Sequence, residues 1–485
     1  MARESDGIES GSSMNISPML TQKIRQIVPD GKVLSELGDL YCYSYDATRM
    51  SFLPDLVVEP TSARQVAEVV RAAMDEGVPV VPRGAATCTT GGPLPVSGGI
   101  VLSLTLMNRI LEINPNSRLA VVEPGVVNGD LQAAAQPYGL FYPPDPSSFR
   151  VSTLGGNIAE CAGGPRCLKY GVTKDFVQGL EVVFPDGRLV DTGPLGYLRW
   201  PESALIGLMV GSEGTLGIVT KAYLKLHPIP TARRSLAATM LRIEQVGEAV
   251  HEIFSAGLVP AKLEFMDGFA IRLVDDFYKV GLDREAAALL LIEVDGDREG
   301  VEEEAVQIEA ICRNVGVKTL QTARSPEEEE VLWRSRSMLS PTVSRVADIK
   351  INEDVVVPRE RLAEALQLIE ELARRHRLRV VNYGHAGDGN LHTSFLVDDD
   401  PEQKRRAEEA VSDLFRLVLR LGGSVTGEHG IGLSKVKFLS WEIGEEGAAA
   451  MRKVRDAFNP RQLMNPYKVL AEPGAEAFQG DKRLA

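Results

Sequence analysis

The loop PRGAATCTTGGPLP, residues 82–95, constrains the fold more than any other stretch, because it leaves one β-strand and runs into another. Upstream, DLVVEPTSARQVAEVVRAAMDEGVPVVPRG (55–84) reads as a β-α-β unit. A short apolar strand meets Ser62, which with Gln65 three residues on has the form of a capping box. Val66, Val69 and Val70 then recur at helical spacing until Gly77 stops the helix. VPVVP is the second strand, and after the loop GGIVLSL looks like a third. A Rossmann or Walker loop opens directly onto a helix whose N-terminus holds the phosphates, so both are excluded here. A strand-to-strand loop can still offer successive backbone N–H groups to an anion, the nest arrangement. On its own it serves equally well as an ordinary connection.

Glycine stays dense further on. YPPDPSSFRVSTLGGNIAECAGGPRCLKYGVTKDFVQGLEVVFPDG (142–187) carries GG twice within ten positions, and GSEGTLGIVT (211–220) repeats the theme. Ordering so much glycine is costly, and the usual return is close approach of backbone to a large flat ligand. HPIPTARRS (227–235) breaks the periodicity and marks a candidate domain boundary. Beyond it, amphipathic helices at 243–256, 361–376 and 403–421 mix with strands such as LLLIEVDG and LRVVNYGH. This suggests an α+β domain with an antiparallel sheet covered on one face.

A formal charge of −14 argues against generic nucleic-acid binding, since no lysine- and arginine-dense face is evident. Five scattered cysteines, none spaced C-x-x-C, suit a reducing compartment and rule out a self-contained iron–sulfur or structural zinc cassette. Residues 1–15 are polar and carry no visible secretory signal, and no apolar run reaches the roughly 20 residues of a membrane span. The chain reads as cytoplasmic, with a membrane-bound partner still able to hold it at a surface.

Of six histidines, three fall within 45 residues, in YGHAGDGNLH (383–392) and TGEHGIG (426–432). His385, His392 and Glu428 form a three-ligand set for zinc, manganese or ferrous iron, with positions left open for substrate. An offset of seven places the two histidines on opposite faces of a continuous strand, but a reversal at GDGN lets both rings converge. His429 is then expected to point elsewhere and stay free as a base. The alternative is that all four are polar turn residues of a loop-rich surface. Asp388 and Asn390 fit turn roles, with orientation of a ligand histidine as a possible addition. Arg334, Arg336 and Lys350 are candidates to grip a substrate carboxylate, against the alternative of helix-surface charges. Lys435 reads as a surface charge, and His227, His251 and His376 are assigned no role.

Taken in order, PRGAATCTTGG, PPDPSSFRVSTLGGNIAECAGG, KYGVT, GSEGTLGIVT, YGHAGDGNLH, TGEHGIG and NPYKVL closely resemble the FAD-linked 2-hydroxyacid dehydrogenases, over roughly residues 35–470. The family includes the flavin subunit of glycolate oxidase, D-lactate dehydrogenase and D-2-hydroxyglutarate dehydrogenase. The resemblance implies an α+β chain of the vanillyl-alcohol oxidase superfamily. A PCMH-type FAD-binding domain of two α+β subdomains (35–229) follows an N-terminal extension (1–34). A C-terminal α+β, ferredoxin-like cap carrying substrate and metal groups spans 230–455, and residues 456–485 return to the FAD domain and end in a tail. By the same resemblance Arg83, Gly84, Ala85, Ala86, Thr87, Cys88, Thr89 and Gly92 hold the pyrophosphate. Asp145, Thr153, Gly156, Asn157, Gly163, Gly164, Tyr170 and Gly171 line the cofactor, with Glu213, Gly214, Gly217 and Ile218 near its adenosine and Asn465 beside it. The family usually has glycine where Ala86 stands. Members that tether FAD covalently use a histidine of the flavin domain, and residues 1–226 contain none, so the FAD is expected to be non-covalent.

The implied reaction oxidises a D-2-hydroxy acid to the 2-oxo acid. A divalent metal on His385, His392 and Glu428 acidifies the hydroxyl, His429 takes its proton, a hydride passes to the flavin, and Arg336, helped by Lys350, fixes the carboxylate. Electrons then pass to an iron–sulfur subunit or an electron-transferring flavoprotein. A homo-oligomer is compatible with all of this. The alternatives are a vanillyl-alcohol-type oxidase using oxygen without a catalytic metal, a non-catalytic electron-transfer subunit, and a flavin-free metal hydrolase.

Overall fold

The computed structural model describes residues 16–48, 50–194 and 200–470. Parts of the expected N-terminal extension (1–15) and C-terminal tail (471–485) lie outside the described residues. Helix α1 (Pro18–Ile27) packs on a four-stranded sheet of β1 (Lys32–Leu34), β2 (Leu56–Glu59), β3 (Val80–Arg83) and β4 (Ile100–Ser103), in the order β1–β2–β4–β3. Strands β2, β4 and β3 run parallel, so the glycine-rich loop leaves β3 and re-enters the same sheet one strand over. Helix α2 (Ala63–Asp75) is capped by Ser62, whose Oγ accepts from Gln65 N–H at 3.4 Å. The reciprocal bond of the expected capping box is displaced by one residue: Gln65 Oε1 accepts from Thr61 N–H at 2.7 Å.

A second sheet, wholly antiparallel, contains β5 (Ile110–Asn114), β6 (Leu119–Val122), β7 (Val177–Val183), β8 (Leu189–Asp191) and β9 (Ile218–Lys225), in the order β5–β6–β9–β7–β8. Helix α3 (Leu154–Glu160) lies against it, with Leu154 and Ile158 in its core. Val183 and Ile218 instead reach the core of the first sheet, which fixes the two subdomains side by side.

From Ala232 the chain builds one seven-stranded antiparallel sheet: β10 (Ala232–Met240), β11 (Lys262–Asp267), β12 (Ala288–Gly296), β13 (Thr319–Thr322), β14 (Ile349–Val356), β15 (Arg379–His385) and β16 (Asn390–Val397), ordered β13–β10–β12–β11–β15–β16–β14. Period-two alternation sorts its side chains. Leu263, Phe265, Ile351, Val355, Leu391 and Phe395 face the helices Glu244–Ser255, Arg298–Val315, Leu362–His376 and Pro401–Arg420 in the largest core. The other face is not bare: Met266, Leu291, Val381 and Leu396 pack under the helix Gly268–Tyr278 and Leu339–Val343. Its uncovered remainder meets the first two subdomains, where Leu168 lies so close to Gly387 that a Cβ there would collide with it.

The helix Val436–Phe458 breaks at Gly444 (φ +71°) and leads the chain back. Val80 N–H donates to Leu463 O at 2.9 Å and Asn465 N–H to Val80 O at 2.8 Å, so the return segment runs alongside β3. The fold is α+β throughout.

Candidate active site

A long cleft runs between the glycine-rich loop, α3, the turn 212–214 before β9 and the segment 428–429, with an empty volume of about 1310 Å³, open solvent included. Arg83, Gly84, Ala85, Ala86, Thr87, Cys88, Thr89 and Gly92 line it, as do Thr153, Gly156, Asn157, Glu213, Gly214, Gly217, Ile218 and Asn465. Its walls carry buried polar atoms with no protein partner: Arg83 Nη1, Thr89 Oγ1, Ser152 Oγ, Asn157 Nδ2, Glu160 Oε2 and Asn465 Oδ1. Orphaned donors and acceptors are rare in folded proteins, and this set, strung along one cleft, suits a long polar ligand. Ala86 holds φ +54°, a left-handed conformation that costs a residue with a Cβ about 1 kcal/mol.

Five further residues expected to line the cofactor make close contacts with neighbouring protein groups. Asp145 pairs with Arg166 at 2.8 Å, and Gly164 packs on the Asp145 backbone. The Tyr170 hydroxyl donates to Asp295 Oδ2 at 2.8 Å, across to the cap sheet, and Gly171 sits over Asp175. Gly163 abuts Glu428: a Cβ there would stand 2.8 Å from Glu428 Oε2. Glycine spacing does not separate close packing against protein from close approach to a ligand.

At the far wall the β15–β16 hairpin turns at residues 386–389, so His385 and His392 fall on one face of the sheet with ring centroids 5.3 Å apart. Glu428 approaches both, its Oε1 3.3 Å from His385 Nε2 and 3.5 Å from His392 Nε2. Ligand atoms of His385, His392 and Glu428 all lie within 4.8 Å of one another. The expectation that His429 points elsewhere fails: its ring stacks on His392 at 5.3 Å and 19°, with Nε2 3.9 Å from Glu428 Oε1. The His429 backbone N–H donates to Asp354 Oδ2 at 3.0 Å, which holds the loop against the sheet face that carries His392.

Two buried carboxylates not singled out from the sequence, and a lysine expected at the surface, hold this cluster in place. Glu264 on β11, fully buried, lies beside His385 in register; its Oε1 is 2.5 Å from His385 Nδ1, and its Oε2 accepts from Arg336 Nε at 2.9 Å. Burial alone would raise its pKa, but His385 and Arg336 outweigh that and hold it below the usual value. Burial would lower the pKa of His385, yet Glu264 and Glu428 hold it well above the ordinary imidazole value, whereas burial, with His385 and His429, drives that of His392 well below. Asp354 on β14, also fully buried, accepts through Oδ2 from Thr426 Oγ1, Gly427 N–H, Glu428 N–H and His429 N–H at 2.7–3.1 Å, and through Oδ1 from Asn390 Nδ2 at 2.6 Å. Lys435 is no surface charge: it is 2% exposed and donates to Asp354 O and Val425 O, both at 2.8 Å. A carboxylate inside an apolar strand such as KLEFMD is a readable signal, because burial without a partner is so unfavourable.

Arg336, on the helix Pro326–Ser337, also stacks over the Tyr383 ring at 5.0 Å. Arg334 on the same helix is exposed. Lys350 lies four residues along β14 from Asp354, roughly 13 Å at strand rise. Asp388 Oδ1 accepts from Asn390 N–H at 3.2 Å, a turn role. His376 meets Asp413 at 3.0 Å, and His227 packs among Phe141, Tyr170 and Phe176.

Two family signatures match the chain: an FAD binding domain over residues 54–193 and the C-terminal domain of FAD linked oxidases over 229–469. The glycolate oxidase subunit GlcD of Bacillus subtilis (strain 168) is 41% identical over 434 residues, 89% of this chain and 92% of that protein. The chain belongs to the FAD-linked 2-hydroxyacid dehydrogenase family. The D-lactate dehydrogenase of Anaerostipes hadrus is 33% identical over 464 residues, 94% of this chain and 98% of that protein. Among solved structures, p-cresol methylhydroxylase superposes with a TM-score of 0.77 at 17% identity, covering 93% of this chain and 96% of that one. The 4-ethylphenol oxidase of Gulosibacter chungangensis gives 0.76 at 18% identity over 95% and 99%. These two share the fold. FAD is the cofactor that the family binds, and the orphaned polar atoms of the cleft fit it.

Proposed function

We propose that the protein oxidises a 2-hydroxy acid, such as glycolate or D-lactate, to the 2-oxo acid and hands the electrons to a partner protein. One observation carries this reading: His385, His392, Glu428 and His429 converge on a wall of the cofactor cleft, where Glu428 and His429 are lining residues. FAD, when bound, supplies the hydride acceptor. A divalent cation on His385, His392 and Glu428 would supply Lewis acidity toward the substrate hydroxyl. Two imidazoles and a carboxylate are an ordinary donor set for zinc, manganese or ferrous iron, and Glu428 Oε2 is buried with no hydrogen-bond partner. The grouping Asp354, His392 and His429 is the weaker candidate, because Asp354 Oδ2 already accepts from four loop donors.

Glu264 accepts the Nδ1 proton of His385, so that a cation at Nε2 would take the place of the proton that Glu428 otherwise faces, the usual arrangement for a ligand histidine. His429 is the base for the hydroxyl proton. Arg336, pinned through Nε by Glu264, offers its outer edge to the substrate carboxylate. Lys350 on β14 is the helper proposed for the same carboxylate. For the electron acceptor, an iron–sulfur subunit or an electron-transferring flavoprotein fits a chain whose five cysteines are all free and scattered. Among the described residues no helix is long and apolar enough to cross a membrane.

Anaerobic mixing with glycolate, D-lactate and D-2-hydroxyglutarate tests the reading. The flavin absorbance should bleach with at least one of them. His429→Ala should slow that bleaching by about 10²- to 10⁴-fold with flavin content unchanged. No bleaching with any acid, or an unchanged rate in His429→Ala, contradicts it.

A further inference from the structure

Glu160 has no part in that chemistry, yet it lines the cofactor cleft beside a second carboxyl group. Gly430 is where the two meet: a Cβ on it would collide with both Glu160 Oε2 and Glu213 Oε1. Glu213 is the member that ionises more readily, because its oxygens accept from Ile431 N–H at 2.8 Å and Gly432 N–H at 2.7 Å. Glu160 has no such support. Its Oε1 accepts from Cys88 Sγ at 3.3 Å, and its Oε2 is buried without a partner. Asp46 adds a further carboxylate to the same surroundings, and Lys468 faces Glu213, Asp46 and Cys88 rather than Glu160. Crowded carboxyl groups in a poorly solvated wall cannot all carry charge. Burial first and Glu213 second push the Glu160 pKa well above the ordinary value, while burial raises Glu213 only to about 7 because its two N–H bonds oppose the rise.

We propose that Glu160 is held as a neutral carboxylic acid and that its otherwise unpartnered Oε2–H donates a hydrogen bond to an acceptor atom of bound FAD. The ligand's own charge favours this state. FAD carries a negatively charged pyrophosphate, and an ionised Glu160 in the same cleft would add repulsion where a neutral acid adds a donor. The sign follows: the protonated form binds FAD, so affinity is full at low pH and falls as pH rises through the raised pKa of Glu160. The proposal depends on the FAD cleft alone and stands or falls independently of the hydroxy acid and of any metal.

The test is FAD release from the purified holoenzyme, followed by the fluorescence of free flavin at pH 6 and pH 9. Glu160→Gln keeps a donor without an ionisable proton, and Glu160→Leu removes the donor. At pH 6 the Gln variant should hold FAD within about threefold of wild type, and the Leu variant about tenfold more weakly or worse. Between pH 6 and 9 wild type should lose at least about threefold more affinity than Gln, since titration of Cys88, Glu213, Asp46 and Lys468 is common to both. Wild-type affinity in the Leu variant, or the same pH dependence in wild type and Gln, overturns the proposal. Should the Leu variant fail to fold, the wild-type and Gln comparison decides alone.

Discussion

Glu264→Gln lowers cation affinity by about 10- to 100-fold and destabilises the cap domain by about 3–5 kcal/mol. The carboxylate is fully buried between His385 and Arg336, and it satisfies both at once. Gln keeps the shape but loses the charge. It leaves the Arg336 guanidinium buried beside an amide and no longer fixes which nitrogen of His385 carries the proton. Equilibrium dialysis against zinc or manganese, with denaturant unfolding of the same samples, measures both effects. FAD content should stay near that of wild type, because Glu264 lies outside the cofactor cleft. A variant that binds the cation as tightly as wild type removes Glu264 as a positioning residue and leaves it a structural ion pair.

The second large effect belongs to Asp354→Asn. One carboxylate oxygen accepts from Thr426, Gly427, Glu428 and His429, so a single buried charge ties the loop that carries both Glu428 and His429. An Asn side chain keeps one acceptor oxygen. If that oxygen stays with the loop, its NH₂ group confronts Asn390 Nδ2, which donates to Asp354 at 2.6 Å. Either rotamer strands buried donors, at about 1–3 kcal/mol each, and unpairs Lys435 and the histidines from their counter-charge. The expected outcome is a loss of about 3–5 kcal/mol in stability, together with a fall in substrate-driven flavin reduction of about 10²-fold or more. Stopped-flow reduction under anaerobic conditions reads the second. A rate within a factor of two of wild type would show that the loop holds its shape without Asp354.

Where the sequence was legible, period and chemistry agreed. The β-α-β unit at 55–84 was readable because valines at helical spacing follow a capping serine, and the glycine loop was readable as strand-to-strand because GGIVLSL follows it. The hairpin bringing His385 to His392 was legible for the same reason: a GDGN turn sits between two alternating runs. The partners of the positioning residues were not. Glu264 and Asp354 reach the site only because β11 and β14 flank the β15–β16 hairpin in a sheet whose order, β11–β15–β16–β14, no local pattern encodes. Lys435 looked like a surface charge because a lysine beside serine and valine carries no mark of burial. It is buried because two backbone carbonyls receive it. Gly163 and Gly164 read as cofactor glycines, and what spacing did not show is that they also pack closely on Glu428 and Asp145.

Metal content per flavin, measured by mass spectrometry on purified wild type and on His392→Ala, tests the central claim most directly. The account predicts close to one divalent ion per FAD in wild type and almost none in His392→Ala, with FAD retained in both. A wild-type protein that reduces its flavin with a hydroxy acid while holding no metal, or a His392→Ala protein that keeps its full complement, would contradict it.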